Sequence, residues 1–103
     1  MIEKQTILDQ IEITRDGTIQ VRLALLVLED DEEISSAWHR TSISPGADPV
    51  EQMAAVNVHL QQMNKAPIVD FSWLTNIVPV VHTPEVNKRY ADRQAKRLPH
   101  NHK

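Results

Sequence analysis

Apolar residues recur at every second position on both sides of one turn signal, and this pattern more than any other limits how the chain can fold. Ile7, Ile11 and Ile13 precede Arg15-Asp16-Gly17, and Ile19, Val21, Leu23, Leu25 and Val27 follow it at the same spacing. A period of two is that of a strand with one buried face. A glycine free to take a positive φ at the end of a three-residue loop closes a hairpin with a G1 bulge. In that register Thr14 faces Thr18, Ile13 faces Ile19, Ile11 faces Val21 and Ile7 faces Leu25, so the apolar partners share one face. Asp9, opposite Leu23, is the exception.

Ala24, Leu26 and Leu28 make the second face of the second strand apolar as well. A strand apolar on both faces is central, or is covered on its far side by a partner chain. Five consecutive carboxylates, Glu29 to Glu33, read as a solvated loop, and Ile34 to Ile43 as a third strand that Pro45-Gly46 ends. Asp48-Pro49 then combines an N-cap acceptor with proline at the first helical position, and Glu51 suits the positive helix end. This helix should run to Met63 or Asn64 and lie across the apolar face of the meander. Its stripe would be Val50, Met53, Val56, Leu60 and Met63, widened by Ala54 and Val58.

Pro67 and Pro79 interrupt the apolar run that follows, which argues against one long helix or strand there. We expect a short helical turn near Asp70 to Asn76 and an extended piece near Ile77 to His82. Thr83-Pro84-Glu85 repeats the helix-start chemistry, and a basic helix should continue to Arg97, with Pro99 beyond it. The expected fold class is therefore α+β: a three-stranded antiparallel β-meander with a helix packed across it, then an extended hydrophobic arm and a C-terminal basic helix. Residues 1–64 would form the core. Residues 65–103 would either complete the same single domain or dock on a partner.

A chain of 103 residues, 41% hydrophobic and 24% charged, suits one ordinary globular domain. It has no cysteine, which removes disulfides, thiolate metal sites and cysteine nucleophiles, and fits a reducing compartment. The first residues lack a basic segment followed by an apolar run, and no stretch is long and apolar enough to span a bilayer. We therefore expect a soluble, unsecreted protein without a membrane partner.

Two glycines cannot build a phosphate-cradling loop, and the known hydrolase, metalloprotease and calcium-loop signatures are missing. No catalytic residue and no cofactor are expected. His39 on the third strand and His59 on the helix could approach one another. Two ligands fall short of the three or four a zinc site uses, so the expectation is a polar contact at the sheet–helix seam and no metal. His100 and His102 near the end of the chain offer no further pattern.

The candidates that remain are for contact with other molecules. Trp38 and Arg40 fall on one face of the third strand beside Arg22 on the second, and tryptophan and arginine dominate binding hot spots. Phe71, Trp73, Leu74, Ile77 and Val78 are more apolar than an exposed loop should be, so they complete the core or anchor an arm on a partner. Residues 1–86 carry 13 of the 14 acidic side chains and 5 of the 11 basic ones, so the body is acidic and the tail basic. Nucleic-acid binding by the body is disfavoured. Lys88, Arg89, Arg93, Lys96, Arg97 and Lys103, with Tyr90 among them, could meet a neighbouring protein's acidic surface or, as a lesser alternative, nucleic-acid phosphates, or simply favour the helix dipole.

Asp9-Gln10-Ile11-Glu12, Gly17, Val21-Arg22-Leu23, Trp38-His39-Arg40-Thr41, Pro45-Gly46, Asp48 and Val56-Asn57-Val58-His59-Leu60 together resemble small proteins of the structural gene clusters of tailed phages and prophages. The resemblance covers about residues 1–64. It implies a virion or tail-assembly component, present in several copies against other phage structural proteins, in the host cytoplasm during assembly and in the particle afterwards. A phage-encoded adaptor or assembly chaperone is the alternative it leaves open.

Overall fold

The computed structural model describes residues 1–97. They form an antiparallel sheet in the order β1 (Ile2–Ile13), β2 (Ile19–Glu29), β3 (Glu32–Ile43), followed by helices α1 (Pro49–Gln62), α2 (Ser72–Val81) and α3 (Pro84–Arg97). This is the α+β meander with a helix across it that the alternation demands.

The β1–β2 turn is built as its residues dictate. Gly17 has φ of 92°, its N–H bonds to the Thr14 carbonyl, and the Thr14 N–H donates to the Thr18 carbonyl at 2.9 Å. Ile13 pairs with Ile19 and Ile11 with Val21, as expected. Beyond them the register changes. A bulge at Asp9 brings Leu8 opposite Leu23 and Thr6 opposite Leu25, and places Ile7 against Ala24 on the other face. The expected Ile7–Leu25 pair is thus replaced. The extra residue lets Asp9 leave the apolar face instead of burying a carboxylate against Leu23.

The second turn is tighter than a five-carboxylate loop. Only Asp30 and Asp31 lie outside the strands, both at positive φ (51° and 70°), as a two-residue type I′ hairpin needs. Glu32 and Glu33 belong to β3, and a second bulge at Ile34 separates the Val27–Ser35 and Leu28–Glu33 pairs.

One face of the sheet carries the core. Ile19, Val21, Leu23, Leu25 and Ile43 pack against Met53, Val56 and Leu60 of α1, and also against Ile68, Leu74 and Val78. Asp48 caps α1 by accepting from the Val50 N–H at 2.9 Å, and Asn64 closes it at φ of 62°. The buried stripe of α1 is narrower than expected. Val50, Val58 and Met63 are exposed because the helix rests on the sheet along the row of Met53, Val56 and Leu60 alone.

Residues 65–82 differ most from expectation. Asn57 clamps Ile68 by accepting from its N–H at 2.8 Å and donating to its carbonyl, and Ile68 forms a parallel bridge to Thr6 of β1. The residues expected to be a short turn and an extended arm then form one helix, α2, with Pro79 inside it. Proline removes one helical N–H, yet Phe71, Leu74, Val78 and Val81 recur at helical spacing toward the core, and their burial outweighs the lost bond. Thr83 opens α3, its hydroxyl accepting from the Val86 N–H at 3.2 Å.

Candidate functional site

Among the described residues no helix lies on the outer face of the sheet. It presents Gln20, Arg22, Ala24, Leu26 and Leu28 from β2, flanked by Ile7, Gln10 and Glu12 of β1 and Ser36, Trp38, Arg40 and Ser42 of β3. Ala24 lies between Ile7 and Trp38 in the ladder and is nearly inaccessible, while Trp38 itself remains 52% exposed. A tryptophan left half in water on a surface that none of the described residues covers is an unusual exposure of apolar area.

The bulge at Asp9 organises this face. Its Oδ2 accepts from Arg22 Nε at 2.8 Å and lies 2.7 Å from Arg22 Nη2. The guanidinium so held lies 4.4 Å from the centroid of the Trp38 ring, where an indole attracts a cation. Arg40 is paired directly across from Arg22, and among the described residues it has no acidic partner. Two like charges opposite one another in a ladder repel, and Asp9 offsets that repulsion. Beside them opens a groove of about 370 Å³, lined by Gln10, Glu12, Gln20, Arg22, Arg40 and Ser42. The expected trio of Arg22, Trp38 and Arg40 is therefore one continuous surface. Asp9 was missed as its organiser; the signal was the adjacent polar pair Asp9-Gln10 inside an alternating strand.

The C-terminal candidates separate. Leu74 and Val78 are buried in the chain's own core, and Phe71 and Ile77 pack at its margin. Trp73 points away and is 54% exposed. Tyr90 is half-buried on α3, where Lys88 pairs with Asp92 at 2.9 Å. His100, His102 and Lys103 lie outside the described residues.

His39 and His59 do meet, with ring centroids 5.4 Å apart and planes tilted by 37°. Burial, and secondarily the neighbouring His59, push the His39 pKa below its ordinary value. Among the described residues no three metal-ligating side chains gather around them or anywhere else. Comparison with protein families, with curated proteins and with solved structures finds no match for this chain.

Proposed function

We propose that this chain is a non-enzymatic structural protein of a tailed phage virion, a tail or tail-tip component that binds larger subunits through the open face of its sheet. The observation that carries the reading is the half-exposed Trp38, held by Arg22 and Asp9 on a face that no element among the described residues covers. Rigid aromatic and arginine side chains of this kind lose little entropy on docking and dominate interface energies. The placement in a virion rests on the resemblance carried by residues 1–64. Trp73 on α2 supplies a second exposed aromatic.

Quantitative mass spectrometry of purified particles tests this directly. The chain should be present at a fixed, multiple copy number, and Trp38→Ala should abolish its incorporation while leaving its circular dichroism unchanged. Absence from finished particles, with the chain still bound to a structural subunit in lysed cells, would replace the virion role with that of an adaptor or assembly chaperone.

A further inference from the structure

The two edges of the sheet are treated differently. The outer edge of β1 is occupied around Lys4 to Thr6: Ile68 bridges to Thr6, the Thr6 hydroxyl donates to the Ala66 carbonyl at 2.6 Å, and Lys4 Nζ donates to the Asn64 carbonyl at 3.1 Å. The outer edge of β3 has no strand or bridge against it among the described residues, although the strand runs for 12 residues and Glu32 to Trp38 are all exposed. It contains neither proline nor lysine; its bulge at Ile34 and its acidic pair lie toward the hairpin, and its middle is the small sequence Ser35-Ser36-Ala37.

We propose that this edge pairs with β3 of a second copy, antiparallel about a two-fold axis at Ala37, so that two three-stranded sheets become one of six strands. Charge selects the register. Residues opposed across an antiparallel pair share a face, so an axis at Ala37 sets Trp38 opposite Ser36 of the second copy. Because Ile34 is bulged, Glu33 is the next outer-face residue beyond Ser36. It therefore meets Arg40 of the second copy, and the two-fold axis makes that pair twice. Among the described residues neither Glu33 nor Arg40 has an ionic partner within its own chain. Sliding the strands by two residues in either direction takes Glu33 away from Arg40 and sets it against Trp38 or Ser42. The helices of both copies stay on one side, and the two open faces merge. The pairing depends on β3 alone and stands whether or not the chain belongs to a virion.

Sedimentation equilibrium of the full chain over a concentration series tests the proposal. The expected mass is twice the 11.8 kDa of one chain. Arg40→Glu alone and Glu33→Arg alone should each weaken the dimer about tenfold or more, and the two together should restore it. Amide exchange should slow in β3 as concentration rises, which reports the edge itself. A monomer at every concentration would overturn the proposal. So would a dimer indifferent to both single reversals, or a double variant no tighter than the singles.

Discussion

His82 Nε2 donates to the carbonyl of Gly17 at 2.8 Å across 65 residues of chain, which ties the β1–β2 turn to the end of α2. A carbonyl only accepts, so Nε2 carries the proton of this contact. The contact leaves no room beside it, because a Cβ at Gly17 would stand 2.6 Å from Val86 Cγ1.

Gly17→Ala should therefore destabilise the fold by about 2–3 kcal/mol, from a positive φ that alanine resists and from the displacement of Val86. Urea unfolding measures this, and an unchanged midpoint would mean that the turn is not docked on α3.

Asp9 and Arg22 should be coupled. Both side chains are about one-quarter exposed, so solvent screens their attraction, and a double-mutant cycle with Asp9→Ala and Arg22→Ala should give an interaction of about 1 kcal/mol. Additive effects would remove Asp9 from its organising role.

Leu74 and its neighbour Trp73 should separate stability from contact. Leu74→Ala removes a fully buried side chain and should cost about 2–5 kcal/mol. Trp73→Ala, at an exposed position, should cost less than about 1 kcal/mol. Equal losses in thermal unfolding would show that Trp73 belongs to the core.

Asp16 accepts hydrogen bonds from the Thr14 hydroxyl and the Thr18 N–H, chiefly the former, and these hold its pKa down to about 2 from an ordinary 3.8. With the folded value below the unfolded one, the carboxylate favours the folded state above pH 3.8, and that contribution is lost as pH falls through about 2. Carboxyl titration by NMR should place Asp16 near 2 and show it rising in Thr14→Val.

For His39 the sign is set by burial and by His59, both of which disfavour its protonated form. The unfolded chain takes up the proton first, so stability should decline as pH drops from neutral through 6.5 and on to the lower folded pKa. His59→Gln should raise the His39 titration midpoint partway, leaving the desolvation in place. An unmoved midpoint would show that the rings do not sense one another.

Near the turn the sheet was legible because glycine, the threonines and the isoleucines all specify one register. It became illegible at Asp9, where a single inserted residue reverses the faces of everything before it. Periodicity carries no mark of a bulge except the polar pair itself. At α2 two signals conflicted: Pro79 argued against helix, while Phe71, Leu74, Val78 and Val81 had helical spacing throughout. Tertiary burial decided between them, and burial depends on where β2 lies, which local sequence does not contain. Trp38, Arg22 and Arg40 could be placed on one face because strand parity alone puts them there. The pairing of Asp9 with Arg22 depends on the bulge, and so escaped.

Chain order gives the parallel bridge from Thr6 to Ile68 a consequence during synthesis. The three strands emerge before any helix, so a nascent chain can complete its meander while Leu23, Leu25 and their neighbours have nothing above them. The edge of β1 stays open as well until residues 64–68 arrive. Ribosome-bound intermediates of this length expose an apolar sheet with two unpaired edges, the state most prone to mispairing between neighbouring polysomal chains. Slower emergence of residues 44–82 would lengthen that exposure, whereas slower emergence of the residues after His82 would not.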